Sequence, residues 1–316
     1  MTTPNLIARA SIIRGPAMVT YNSAKFFFKD GLMLESALAP QSVSDDAQGE
    51  DIDALVTQRA IKLSGTPTGD WEAIQAVALP YASAVAGSSV FGADTPVAIQ
   101  TRAGKLITFM AGAVTKMPDL DLRPDKTIFG AMEFTCLGPD ATAWDSGGSP
   151  MYTIASNAWP AANNVAPTII ADTYAAAWGS SAPWTAIPTQ DGWKITWDLG
   201  LEPVQNDAIG LCDMTFTKLV ATLTAIPQGF TETQMLTAQL LTGSGAGRGR
   251  LLSATALPLT LTGAYQGKTV TVAAANMLSH KQAFSLKNLR VGETAWRSVQ
   301  AYTTGPNALA PIIAFT

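Results

Sequence analysis

The stretch that decides the fold is Trp193–Glu232, WKITWDLGLEPVQNDAIGLCDMTFTKLVATLTAIPQGFTE. Trp193-Lys194-Ile195-Thr196-Trp197 alternates bulky and polar side chains, the two-residue period of a strand with one buried face. Met214 to Ala225 alternates in the same way, and between them Pro203 to Asp213 reads as a loop. Pro227-Gln228-Gly229 then breaks the strand, and the spacing predicts a helix over Thr231 to Leu241.

The same order occurs in the first half. Lys25 to Phe28 is a short aromatic strand closed by the turn pair Asp30-Gly31. Leu32 to Leu38 follows, and the acidic segment Pro40 to Asp53 reads as a loop. Ala54 to Ser64 resumes an apolar and polar mixture and ends at Gly65-Thr66-Pro67-Thr68-Gly69. Asp70 is placed to cap a helix in which Trp71, Ile74, Val77 and Ala78 share one face, with Pro80 and Gly87 ending it. Val97 to Thr101 and Lys105 to Met110 flank Arg102-Ala103-Gly104 as a hairpin, matched later by Leu257 to Thr262 and Lys268 to Val272 around Gly263–Gly267. Thr127 to Leu137 closes the first set.

Leu34-Glu35 is matched with Leu201-Glu202, and pairing Pro67 with Pro227 and Phe129-Gly130 with Val291-Gly292 gives a shift of 160 residues at the Pro-x-Gly turns and 162 at the last strand. That steadiness points to an internal duplication. The expected fold is mainly β, a β-sandwich or barrel with a flanking helix in each repeat. The expected organisation is a first β-domain with an N-terminal arm over 1–138, a connector over 139–190 and a second β-domain over 191–316. The connector, rich in Ala, Pro, Asn and Ser, is expected to carry one short helix near Ala171 to Trp178. Its Trp144, Trp159, Trp178 and Trp184 should pack on a domain or on a neighbouring chain, because exposed indoles are costly in water.

Composition narrows the function classes. The chain has 316 residues, 47% hydrophobic and only 14% charged, well under the roughly 25% of an average soluble domain. So little charge implies surface hidden in an assembly. A net charge of -4 does not suit a nucleic-acid grip. One His and two Cys cannot build a four-ligand zinc site. Cys136 and Cys212 have no demand to pair, so a reducing compartment is expected. The opening MTTPNLIARASIIRGPAM lacks a continuous apolar core, and no run approaches about 20 apolar residues. The expectation is a chain neither exported by the usual route nor membrane-spanning.

Motifs for chemistry fail one by one. Gly263–Thr269 has three residues between its glycines where a P-loop needs four, and the β-branched Val270-Thr271-Val272 follows in place of a helix. Gly243–Arg250 carries Arg248 or Arg250 where a dinucleotide loop needs its third glycine. His280 has no G-x-S-x-G partner and reads as a surface or turn residue. Asp45, Asp46, Glu50, Asp51 and Asp53 lack the ligand order of a calcium loop. Asp119 and Asp121 share one face of a predicted strand without forming an acid–base pair. No catalytic residue, cofactor or metal is expected.

Three segments carry a resemblance: Arg9–Glu35 (RASIIRGPAMVTYNSAKFFFKDGLMLE), Lys116–Gly138 (KMPDLDLRPDKTIFGAMEFTCLG) and Trp193–Glu232. The chain resembles the major tail tube proteins of long-tailed, siphovirus-like bacteriophages. The resemblance covers most of the chain through layout more than through one sharp motif. It implies a structural virion protein made in the host cytoplasm, stacking as rings around a channel through which double-stranded DNA passes without specific binding. Its partners would be itself and the tape-measure and tail terminator proteins, with no membrane. Two fused tube domains imply three-membered rings with pseudo-sixfold symmetry. The resemblance also makes Pro40 to Asp53 an inter-ring stacking loop, whose Asp45, Asp46, Glu50, Asp51 and Asp53 would meet Arg102, Lys105, Arg248 or Arg250. Lys25 and Asp30, flanking the first strand, are candidates for the channel wall. The alternatives are another virion component, such as a capsid decoration or baseplate protein, and a carbohydrate-binding or hydrolytic β-sandwich using the tryptophans.

Overall fold

A computed structural model of the chain describes residues 17–44, 51–69, 71–82, 84–92, 95–124, 126, 128–138, 151–159, 173–206, 210–238, 251–252, 255–263, 267–284, 289–299 and 313–316. Among these residues the fold is mainly β, with two curled antiparallel sheets and two short helices.

The first sheet contains β1 (Ala17–Tyr21), β2 (Ala24–Ser44), β3 (Asp51–Thr68), β4 (Val97–Thr101), β5 (Lys105–Phe109), β6 (Ala111–Lys116), β8 (Met132–Leu137) and β9 (Tyr152–Ser156). Its spatial order is β6-β8-β3-β2-β1-β4-β5-β9. Only Met110 separates β5 from β6, so the chain joins the two limbs of the sheet and it curls on itself. Helix α1 (Trp71–Ala78) turns Ile74, Val77 and Ala78 inward and stops before Pro80.

The second sheet runs β10-β13-β14-β15-β12-β11-β7, with β16 on β14. Its strands are β7 (Leu120–Leu122), β10 (Tyr174–Trp178), β11 (Thr189–Asn206), β12 (Gly210–Pro227), β13 (Leu257–Gly263), β14 (Thr269–Phe284), β15 (Leu289–Ser298) and β16 (Ile313–Phe315). Helix α2 (Glu232–Ala238) opens with a capping box. The Gln234 N–H donates to Thr231 Oγ1 at 3.3 Å, and the Thr231 N–H donates to Gln234 Oε1 at 2.8 Å.

The pairing frame of the first sheet recurs in the second. In the first, Val114 faces Phe134, Phe134 faces Leu63 and Leu63 faces Leu34. In the second, Met277 faces Trp296, Trp296 faces Leu223 and Leu223 faces Ile195. A further row, Val19–Ile99–Ile107–Ile154, returns as Ala176–Leu261–Val270–Phe315. The shifts stay close: 160 for Leu63 to Leu223, 162 for Phe134 to Trp296, and 163 for both Ile107 to Val270 and Val114 to Met277. β5 and β6 together thus occupy the place of the single strand β14. Phe134, Leu63, Trp296 and Leu223 are all fully buried.

Several local expectations are corrected. Of the expected loop Pro40 to Asp53, the described residues are strand: β2 runs to Ser44 and β3 starts at Asp51, with register shifts at Ala39/Pro40 and Val43/Ser44. Proline cannot donate to a ladder, and a bulge accommodates it. Pro203 to Asp213 likewise extends β11 to Asn206 and begins β12 at Gly210. Asp30-Gly31 is no strand-ending turn but an irregularity inside β2, with φ of 63° and 97° and a register shift between Lys29 and Met33. That shift undoes the match of Leu34-Glu35 with Leu201-Glu202, because by register Leu34 corresponds to Ile195. The expected helix near Ala171 to Trp178 is strand β10. Pairing with β13 overrides its alanine content, and Tyr174, Ala176 and Trp178 alternate inward. His280 lies within β14, opposite Thr294, and is no turn residue.

Candidate assembly interface

Each half sends out a long hairpin. Ahead of Ile61, the first residue of β3 that pairs with β8, β3 and the stretch of β2 opposite it pair only with each other among the described residues. Asp51 and Asp53 sit in that arm, opposite Ser44 and Val43; Asp45, Asp46 and Glu50 lie outside the described residues. Arg102 is exposed in the β4–β5 turn, and Lys105 begins β5 opposite Ser156. Arg248 and Arg250 lie outside the described residues. Ion pairs join other residues: Lys62 to Glu133, Lys194 to Asp119 at 3.5 Å and Lys218 to Asp198 at 2.7 Å. These half-exposed pairs contribute little stability, about 0–1 kcal/mol each. Of the channel candidates, Lys25 is exposed and Asp30 belongs to the bulge.

The joint between the halves is the most developed surface, and it went unnoticed in the sequence. The segment Asp119–Gly130 forms a small hairpin. The Asp121 N–H donates to Ile128 O, and the Gly130 N–H donates to Asp119 O, both at 2.7 Å. Its strand β7 adds to the edge of β11, with Leu122 opposite Trp193, Asp121 opposite Lys194 and Leu120 opposite Ile195. Gly192 permits this approach. Its φ is +82°, and a Cβ there would lie 2.7 Å from Leu122 O and 2.9 Å from Arg123 Cα. The Trp197 indole N–H donates to Pro118 O at 2.9 Å.

A second contact lies on β12. The Gly87 N–H donates to Phe216 O at 2.8 Å, the Phe216 N–H to Ser88 O at 3.0 Å, and the Val90 N–H to Met214 O at 2.8 Å. The Asp213 carboxylate accepts from the N–H groups of Phe91 at 3.0 Å and Met214 at 2.7 Å. Burial pushes the Asp213 carboxyl up, but these bonds, with those from the Ser89 hydroxyl and the Val90 N–H, outweigh it and hold the group below its ordinary range. Tyr81 bolts the joint: its hydroxyl donates to Val114 O at 2.5 Å, and its ring stacks on Phe216 at 5.4 Å and 3°. Burial, followed by the charge of Tyr21, raises the Tyr81 pKa.

A cleft of about 300 Å³ lies at this joint. Asp30, Asp119 and Asp121 face Lys29, Arg123 and Lys194 there, so its charges cancel. Burial raises the Asp121 carboxyl, and the Arg123 side-chain bonds and charge more than reverse that. Among the described residues no group of three or more His, Cys, Asp or Glu could hold a metal ion. Among them, too, no helix is long and apolar enough to cross a membrane. Cys136 is buried, its thiol pushed up to about 12 by burial, and both cysteines are free.

The connector aromatics pack inward. Trp159 stacks with Phe27 at 6.1 Å, Trp184 with Phe230 at 4.5 Å, and buried Trp178 donates its indole N–H to Ala275 O at 2.9 Å. Trp144 lies outside the described residues. No protein-family model matches this sequence, and no curated protein matches it.

Proposed function

We propose that the chain is a structural protein of a bacteriophage tail: two tandem tail-tube-like domains, assembling as rings of three chains with pseudo-sixfold symmetry that stack into a DNA-conducting tube. The observation that carries the reading is the recurrent pairing frame, in which Val114–Phe134–Leu63–Leu34 and Met277–Trp296–Leu223–Ile195 hold the same places. Two like modules in one chain suit a ring of half as many chains as modules. The β2–β3 arm supports contact between rings, since a two-stranded hairpin is marginal by itself and gains stability by packing on something else. The mild acidity supports passage of DNA over grip, because a duplex carries about one charge per 1.7 Å of axis and lysine-rich walls would hold it.

Negative-stain microscopy of the purified protein tests this. Hollow cylinders whose end views show three-fold rings with six lobes are the expected result. Solitary globules at high concentration refute assembly. Six whole chains per ring refute the fused-domain plan and keep the tube, and rings that never stack assign the chain to another virion component.

A further inference from the structure

Among the described residues the recurrent frame leaves a donor edge and an acceptor edge unfilled. Inside the chain, β7 of the first half fills the edge of β11 at Trp193–Ile195. By register, since Leu34 faces Leu63 as Ile195 faces Leu223, the counterpart of that edge is Leu32–Leu34 in β2. There, on the side away from β3, no strand pairs among the described residues. The burial contrast falls on the matched pair: Ile195 is 0% exposed, while its counterpart Leu34 is 50% exposed.

The filling hairpin has a counterpart too. The bridge Leu120↔Phe129 corresponds to the pair Gln282↔Val291 at the end of β14–β15, each residue shifted by 162. Residues 282–284 therefore stand where β7 stands, and among the described residues they pair only with β15.

We propose that residues 282–284 of one copy add antiparallel to residues 32–34 of a second copy, with Gln282 opposite Leu34, Ala283 opposite Met33 and Phe284 opposite Leu32. The pairing repeats between chains the joint already made within one, and it is strand addition to an open edge. Each chain offers one donor and one acceptor, so association is head-to-tail. It closes into a ring when the repeated rotation closes. The proposal rests on the ring reading above for its closure, and on the register for its partners.

Disulfide trapping tests it. In a Cys212→Ser background, which leaves only the buried Cys136, the pairs Met33→Cys with Ala283→Cys and Leu34→Cys with Gln282→Cys are oxidised separately. Neighbouring pairs alternate between hydrogen-bonded and closer non-hydrogen-bonded geometry, so at least one suits a disulfide. A non-reducing gel should show dimers and trimers for that pair, none for any single variant, and none for the out-of-register pair Leu34→Cys with Phe284→Cys. Leu34→Asp, at an exposed position, should weaken self-association at least tenfold in sedimentation with an unchanged circular dichroism spectrum. Equal trapping out of register, or no trapping by either pair, overturns the proposal. Rings seen without trapping overturn this pairing and keep the ring reading, whereas trapped chains growing as open polymers keep the pairing and overturn the tube.

Discussion

Tyr81 and Phe216 test whether the two halves are one thermodynamic body. Both are buried, 6% and 3% exposed, and they belong to opposite halves. Tyr81→Phe removes the buried bond to Val114 O, a loss of about 0.5–1.5 kcal/mol. Phe216→Ala removes the ring that Tyr81 stacks on and opens a cavity, about 3–5 kcal/mol. A Tyr81→Ala, Phe216→Ala cycle should return a coupling of about 0.5–1.5 kcal/mol, the usual worth of an aromatic pair beyond its buried area. The assay is urea unfolding of dispersed protein, followed together by far-ultraviolet circular dichroism and by tryptophan fluorescence. The fluorescence weights the second half, where Trp178, Trp184, Trp193, Trp197 and Trp296 lie. Wild-type curves should coincide, and Phe216→Ala should separate them as the joint loosens. A Tyr81→Phe midpoint equal to wild type, or a zero coupling, refutes the reasoning.

Acid should loosen the same joint. The Asp213 pKa is lowered in the folded chain, so its contribution is fully present above the unfolded value of about 4 and is lost as pH falls through the lowered folded value. Asp213→Asn should flatten the dependence of stability on pH below about 4, measured by urea midpoints at stepped pH. Gly192→Ala should cost at least about 1–2 kcal/mol from its left-handed backbone alone, more once the Leu122 carbonyl is displaced, while the first half keeps its strand content by circular dichroism. Deleting residues 42–50 shortens the β2–β3 arm and should leave soluble rings that do not polymerise; normal-length tubes by microscopy would contradict the stacking role.

The strands and turns of both halves were legible because the chemistry is local. Alternation marks Trp193–Trp197, and Pro-x-Gly ends β3 and β12. The arms were hidden because Pro40–Ser44 is polar, with a proline that reads as a break; only the bulge lets it pair. The strand Tyr174–Trp178 was hidden by three alanines whose helical preference is smaller than the gain from joining β13. The match of Leu34-Glu35 to Leu201-Glu202 failed because like dipeptides carry no record of the irregularity at Asp30-Gly31, which resets the register. Met33 and Leu34 were readable as an open edge only once Lys194 and Ile195, paired with β7, were known to be their counterparts in the frame.

The two joints differ in what must hold them. Inside the chain, β7 reaches β11 through a covalent tether, so its effective concentration is high, and three paired residues with Trp197, Tyr81 and Asp213 suffice. Between chains the same three-residue pairing has no tether, and so small a strand addition falls below the roughly 1,000 Å² of a stable interface. Closure changes that balance: in a ring every chain is held at both edges, and losing one neighbour breaks two contacts. Assembly should therefore be steep in concentration, with few open dimers between monomer and closed ring. A population of long-lived dimers would place the main contact elsewhere than on these two edges.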